Sequence, residues 1–226
     1  MLYSLNWGYG VQEKFAKACL ANDVDTMKRL LALDGPSTIK VHANNDVAIQ
    51  NALFAKPVGG ALKLLLSLEG ERRINFWGGL GERAFSIACR GKDVELVQLL
   101  LSFEGDRFID VHDDREAGFR FACLEGSIEI IRLLLSLKGD RYIDVHAKDE
   151  QAFRFACEFG NIDAVRELLS LEGDRLIDIH ANDDDGLYQA CFEGHIAVVR
   201  ELLTLTGERQ MGADVIADKV CSATSC

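Results

Sequence analysis

Proline is scarce in this 226-residue sequence, which contains only two prolines and no serine- or glycine-rich linker. Since such residues usually separate domains, no domain boundary is visible. No apolar run approaches the roughly 20 residues that cross a bilayer. The first residues, MLYSLNWGYGVQEKF, lack the basic and apolar stretches of a secretory signal. These absences predict a cytoplasmic protein without membrane attachment.

Positive charge is also in short supply, with 25 Lys and Arg against 36 Asp and Glu, for a net charge of −11. Because nucleic acids and anionic membranes bind basic surfaces, neither is predicted as a partner. The seven cysteines, without a secretory signal, are typical of reduced thiols. The phosphate-binding GxxxxGK[ST] and GxGxxG motifs are absent, as are the hydrolase motifs HExxH and GxSxG.

One stretch nevertheless carries potentially reactive side chains. Residues 139–160, GDRYIDVHAKDEQAFRFACEFG, bring Asp144, His146, Glu150 and Cys157 close together in sequence. On its own, the stretch is compatible with a metal site, with a Cys–His nucleophile assisted by acids, or with no chemistry.

The same stretch recurs along the chain, which decides how it is interpreted. Residues 105–126 and 173–194 are close copies of it, and equivalent cysteines follow one another at intervals of 34 residues. They are Cys89, Cys123, Cys157 and Cys191. A fixed period of this length indicates a solenoid of stacked repeats.

Each repeat contains two predicted helices. Residues 152–160 form a first helix that ends at Gly160, where a left-handed residue is favoured. Residues 161–173 form an amphipathic second helix. The segment that follows is predicted to be extended or turn-like, with acidic residues that cap the next helix. Because one repeat cannot bury its own apolar face, neighbouring repeats must stack.

The repeat motifs resemble the ankyrin repeat over roughly residues 11–207. The segment EGHIAVVRELLTLTG (193–207) and the helix starts AGFRFAC (117–123), QAFRFAC (151–157) and DGLYQAC (185–191) carry the resemblance. The motif's Thr-Pro is missing, and its His is replaced by Arg120, Arg154 and Tyr188. The sequence is similar to the divergent repeats of large viruses, intracellular bacteria and protists.

This resemblance implies a single all-α solenoid of about six repeats, curved and monomeric, with first helices and loops on its concave face. The predicted divisions are a cap at 1–12, repeats at 13–45, 46–80, 81–114, 115–148, 149–182 and 183–207, and a C-terminal cap or tail at 208–226.

Stacking explains the repeated cysteines and histidines without chemistry. Equivalent atoms of stacked helices lie ~8–10 Å apart, too far for a disulfide or a shared zinc ion. Cys19 and the four repeated cysteines are therefore predicted to be buried in the core. The histidines are predicted to form a repeated local hydrogen bond, at positions His42, His112, His146 and His180. The GDR segments at 105–107, 139–141 and 173–175 are predicted to form charge ladders between repeats.

The function that the resemblance implies is recognition of another protein, without catalytic residues, metal or cofactor. An alternative is a structural or assembly module of a larger complex, or a host-directed effector or adaptor. An enzyme would require non-repeated groups, for which Cys221, Cys226 and His195 are the candidates.

Two partner-binding surfaces are predicted. The first, called the strip below, consists of the two residues before each glycine that ends a first helix: Leu124, Glu125, Glu158, Phe159, Phe192 and Glu193. The second is an apolar finger of Phe76, Trp77 and Leu80, where INFWGGLG (74–81) replaces the repeated IDVHA. The alternative is that Phe76 and Trp77 fill a gap in the core.

Overall fold

The computed structural model describes residues 5–57, 59–212 and 215. These residues form twelve α-helices and no β-strand, which confirms the all-α prediction. The helices are α1 (Leu5–Leu20), α2 (Val24–Leu31), α3 (Ala43–Phe54), α4 (Gly60–Leu66), α5 (Leu80–Arg90), α6 (Val94–Leu101), α7 (Ala117–Glu125), α8 (Ile128–Leu135), α9 (Ala147–Glu158), α10 (Ile162–Leu169), α11 (Ala181–Phe192) and α12 (Ile196–Leu203).

The chain divides into two compact units, an N-terminal unit (Met1–Ile109) and a C-terminal unit (Asp110–Cys226). In the C-terminal unit the first helices α7, α9 and α11 pack side by side, and the second helices α8, α10 and α12 form another row. In the N-terminal unit α1 packs against α3, and α2 against α4. No helix of the described residues is long and apolar enough to cross a membrane.

A left-handed residue joins the two helices of a pair, as the sequence predicts. Gly126 and Gly160 have φ values of 69° and 68°, and Asn22 takes the same conformation in the first pair with a φ of 53°. Glycine suits this position because it has no Cβ to clash. At Gly160 an added Cβ would also lie 2.5 Å from the Nδ1 atom of His195.

The second helices end earlier than predicted. The sequence places the second helix at 161–173, but α10 ends at Leu169 and a 3-10 turn follows at Gly173–Arg175. Gly173 has a φ of 65°, which turns the chain away from the helix axis. The predicted capping of the next helix by acidic side chains is wrong. Histidines His146 and His180 occupy the N-cap positions, without a side-chain capping bond.

The core of the C-terminal unit forms where the first helices meet. Phe153 of α9 is 1% exposed and packs on Gly186 of α11, where an added Cβ would lie 3.0 Å from a ring carbon of Phe153. The same Cβ would lie 3.4 Å from the Sγ atom of Cys157. The close approach of α9 and α11 therefore requires a small residue at position 186.

The predicted burial of the cysteines is confirmed for four of the five in the core positions. Cys19, Cys89, Cys123 and Cys157 are buried and form no disulfide, whereas Cys191 is half-buried. Cys191 belongs to the last helix pair, on which no further helix packs within the described residues. Cys221 and Cys226 lie outside the described residues.

Candidate functional site

Three consecutive residues lie in the left-handed region at the start of each first helix of the C-terminal unit, immediately before α7 and inside the first turn of α9 and of α11. These left-handed turns comprise residues 114–116, 148–150 and 182–184, with φ between 44° and 64°. None of the nine residues is glycine. Because a left-handed conformation costs an L-residue roughly 1–2 kcal/mol, such turns persist only where surrounding contacts hold them.

Arg120 holds the first left-handed turn. Its Nε donates to the carbonyl oxygen of Arg115 at 2.9 Å, and its Nη2 donates to that of Asp114 at 2.7 Å. Its Nη1 reaches Oε1 of Gln151 in the next repeat at 2.6 Å. The buried guanidinium thus fixes the turn and links two repeats.

Arg154 holds the second left-handed turn in the same way. It donates to the carbonyl oxygens of Asp149 at 2.9 Å and Lys148 at 3.1 Å, and to Oδ2 of Asp185 in the next repeat at 2.7 Å. Tyr188 occupies the equivalent position in the third repeat. The third turn is therefore formed without an arginine clamp.

The predicted local hydrogen bond of the histidines is confirmed. In each case Nδ1 of the histidine contacts a carboxylate oxygen four residues later, at 2.5–2.6 Å. The pairs are His42–Asp46, His112–Glu116, His146–Glu150 and His180–Asp184. In the last three pairs the carboxylate belongs to the final residue of a left-handed turn, so the histidine also helps to hold the turn.

Two of these pairs also connect neighbouring repeats. Nε2 of His112 lies 2.9 Å from the carbonyl oxygen of Asp140, and Oε1 of Glu116 accepts from the backbone N–H of Asp144 at 3.2 Å. Because a carbonyl oxygen can only accept, Nε2 must carry a proton. The contact between Nδ1 and Glu116 then contains one further proton, shared between ring and carboxyl. The His146–Glu150 pair makes the same contacts one repeat later.

Burial and hydrogen bonding together shift the pKa values of these histidines and of Glu116. The hydrogen bond to Glu116 raises the pKa of His112, against the effect of partial burial. Burial raises the pKa of the Glu116 carboxyl, against the effect of its bond to His112. Burial alone would lower the pKa of His146, but the bonds to Glu150 and to the Asp174 carbonyl raise it overall.

These shifts predict that the protein loses stability as the pH rises. A histidine whose folded pKa is raised stabilises the fold fully below its ordinary pKa of ~6.5, and this stabilisation is lost as the pH rises through the folded pKa. The raised pKa of Glu116 acts in the same direction. We therefore expect the free energy of unfolding, measured in urea, to fall between about pH 6 and pH 8. The double variant His112→Gln/His146→Gln should flatten this dependence, and an unchanged slope would contradict the assignment.

The strip is more uneven than predicted. Phe159 is 50% exposed and Phe192 is 47% exposed, and Glu193 is exposed as well. Leu124, Glu125 and Glu158 are less accessible than the strip predicts, since each is half-buried. These three residues belong to the helices α7 and α9. Phe159 follows the end of α9, and Phe192 and Glu193 lie at the C-terminal end of α11.

The predicted apolar finger is reduced to one residue. Trp77 is 62% exposed, but Leu80 is 5% exposed and belongs to the start of α5. Phe76 packs edge-to-face on Phe103, with ring centroids 5.5 Å apart. Gly81 makes room for it, because an added Cβ there would lie 2.6 Å from the ring. Leu80 is therefore part of the core, Phe76 is half-buried against Phe103, and Trp77 is the most exposed of the three.

A family model for ankyrin repeats matches residues 119–215, in three copies. This match coincides with the paired helices α7–α12. Residues 119–215 are ankyrin repeats. No curated protein matches the chain.

In these ankyrin repeats an arginine of the connecting segment bonds to the preceding repeat. Arg175, of the GDR segment at 173–175, donates to the carbonyl oxygen of Leu135 at 3.1 Å, and Arg209, of the GER segment at 207–209, donates to that of Leu169 at 3.0 Å. Both acceptors lie at the end of the second helix of the preceding ankyrin repeat. The arginines thus satisfy carbonyl groups that the helix ends leave without a partner. In the N-terminal unit Arg107 does the same for Leu66 at 3.2 Å. The predicted charge contacts are formed by the GDR segment of the N-terminal unit, where Asp106 pairs with Arg73 at 2.6 Å and Arg107 lies 3.8 Å from Glu69.

The reactive residues of the ankyrin repeats are committed to structure. Cys157 is fully buried, and burial raises its thiol pKa. His146 is bonded to Glu150 and Asp174, and Nε2 of His195 lies 2.9 Å from the carbonyl oxygen of Glu158 in the preceding repeat. Within the described residues no group of His, Cys, Asp and Glu side chains is arranged to hold a metal ion.

Proposed function

We propose that the chain is a non-catalytic recognition module that binds another protein through the strip of its C-terminal unit. Ankyrin-repeat domains are generally protein-interaction modules and typically have no catalytic activity. The single observation that supports the proposal for this chain is the exposure of Phe159 and Phe192. Aromatic side chains that lie half in solvent are common anchors of protein interfaces.

The arrangement of the strip supports a specific kind of partner surface. In successive repeats the two strip positions hold Leu124 and Glu125, then Glu158 and Phe159, and then Phe192 and Glu193. Apolar and acidic side chains therefore exchange places from one repeat to the next. Such a pattern suits a partner with apolar side chains surrounded by Lys or Arg. The ring of Tyr188 stacks on Phe192, with centroids 6.1 Å apart, and enlarges the apolar area.

Free cysteines support a location in the reducing cytoplasm. None of the five cysteines of the described residues forms a disulfide, and four of them are buried. Disulfides are rare in that compartment, because thiols there are kept reduced.

The double variant Phe159→Ala/Phe192→Ala tests the strip. We expect it to lower affinity for a partner identified by crosslinking and mass spectrometry by about 2 kcal/mol or more, with an unchanged melting temperature. Leu176→Ala provides the control, because Leu176 is 43% exposed in a connecting segment of the same unit. If both variants bind the partner as tightly as the wild type, the strip does not form the interface.

A further inference from the structure

Two clefts separate the left-handed turns of the C-terminal unit. The first, about 480 Å³ in volume, lies between residues 112–116 and 144–149. The second, about 410 Å³, lies between residues 146–150 and 178–182. The two clefts have the same backbone construction, one repeat apart, so their side chains can be compared position by position.

The comparison shows a difference in charge. Arg115 and Lys148 line the first cleft, together with three carboxylates. Asp149 and Asn182 take their places, 34 residues later, in the second cleft. The second cleft consequently has three carboxylates and no Lys or Arg among its lining residues.

The charge of the second cleft is not neutralised by neighbouring side chains. In the first cleft Lys148 forms an ion pair with Asp114, with Nζ and Oδ1 2.9 Å apart. Asp149 has no ion-pair partner among the described residues, and Asp178 accepts only the backbone N–H of His180, at 2.9 Å. Asp149 also lines the first cleft, beside Arg115 and Lys148, but forms an ion pair with neither, and Asp178 lines only the second cleft. Two carboxylates of this cleft are therefore exposed without an ion-pair partner.

Each cleft also contains a buried, incompletely bonded carboxylate, which is Glu116 in the first cleft and Glu150 in the second. In the first cleft two cationic side chains are nearby, whereas the second has no Lys or Arg among its lining residues. Glu150 lines the second cleft and is 3% exposed. Its Oε1 atom contacts His146, but its Oε2 atom is buried without a hydrogen-bond partner. Leaving a carboxylate oxygen without a donor is costly. Even when a protonated His146 balances Glu150, the charges of Asp149 and Asp178 remain.

We propose that the second cleft receives an arginine or lysine side chain of the protein partner. This inference rests on the proposed function and specifies the chemistry of the partner. The cation would lie between two left-handed turns. Arg154 already holds the turn at residues 148–150, so binding of the cation requires little ordering of that side of the cleft. The strip would supply apolar contacts, and the cleft would select for positive charge.

A pair of exchange variants tests the proposal on the full chain. Asp149→Arg/Asn182→Lys gives the second cleft the side chains of the first, and Arg115→Asp/Lys148→Asn gives the first cleft those of the second. The backbone at each position already carries the introduced residue in a neighbouring repeat. The probe is a blocked Gly-Arg-Gly peptide, titrated by NMR against backbone amide signals. A peptide with uncharged citrulline in place of arginine is the control.

In the wild type we expect the arginine peptide to shift the amide signals of His146, Glu150 and His180, with binding at least about tenfold tighter than that of the citrulline peptide. Asp149→Arg/Asn182→Lys should abolish these shifts, and Arg115→Asp/Lys148→Asn should produce new shifts around His112 and Glu116. Equal shifts with both peptides, or shifts that survive the first exchange, would overturn the proposal. If the cleft does not bind the arginine peptide, the proposed function can still be tested separately, because Phe159→Ala/Phe192→Ala measures partner binding through the strip.

Discussion

Replacing Phe153 with alanine is expected to lower the free energy of unfolding by about 3–5 kcal/mol. The ring is 1% exposed and lies against Gly186 of the next repeat. Because Gly186 has no side chain that could move into the space, the cavity would remain largely open. The lost contacts also join two repeats, so the stacking of α9 on α11 is weakened together with the repeat itself.

Phe159→Ala is the matched control for this prediction. It removes the same side chain six positions later, where the ring is 50% exposed, and should change stability by no more than about 0.5 kcal/mol. Urea unfolding should be followed by far-UV circular dichroism, because both tryptophans, Trp7 and Trp77, precede the C-terminal unit. Equal losses in the two variants would show that Phe153 is not part of a packed junction.

Replacing Arg120 with methionine is expected to cost about 3 kcal/mol. The change removes the guanidinium bonds to the carbonyl oxygens of Asp114 and Arg115 and leaves Gln151 without its donor. Methionine retains much of the apolar side-chain volume, so the loss reports on the hydrogen bonds. The three left-handed residues 114–116 would then keep their backbone strain without the clamp that holds them.

Arg132→Met provides the control for the clamp. Arg132 is mostly exposed and pairs with Glu167 at 2.9 Å, and loss of such a surface ion pair costs at most about 1 kcal/mol. Arg120→Lys should recover little stability, since an ammonium group cannot reproduce the planar fork that reaches three acceptors. The clamp is refuted if Arg120→Met is no less stable than Arg132→Met, as measured in urea.

The 34-residue period predicted the helix pairs and the left-handed residue between them, because both depend on local chemistry. Asn22, which is not a glycine, takes the same conformation at the equivalent place in the first helix pair. The ends of the second helices were harder to predict. The apolar pattern of 161–173 continues past Leu169, where α10 ends, and Arg175 of the 3-10 turn that follows bonds to the preceding repeat.

The left-handed turns could not be predicted from the sequence. Residues 148–150 are Lys, Asp and Glu, and none of them requires a positive φ. Arg154 bonds to the carbonyl oxygens of this turn, and the ankyrin motif indicates it only as a replacement for histidine. The finger was predicted in part: Trp77 is exposed, but Leu80 is buried because the helix α5 begins there.

The contacts of Arg120 and His112 run to the following repeat, whereas those of Arg175 and His195 run to the preceding one. The two junctions within the C-terminal unit therefore use donors from both sides. A duplicate of residues 149–182 would bring its own donors and acceptors to the new junction, whereas a segment copied out of phase would separate each arginine from its turn. Gain or loss of a whole repeat of this kind therefore preserves the bonds between repeats.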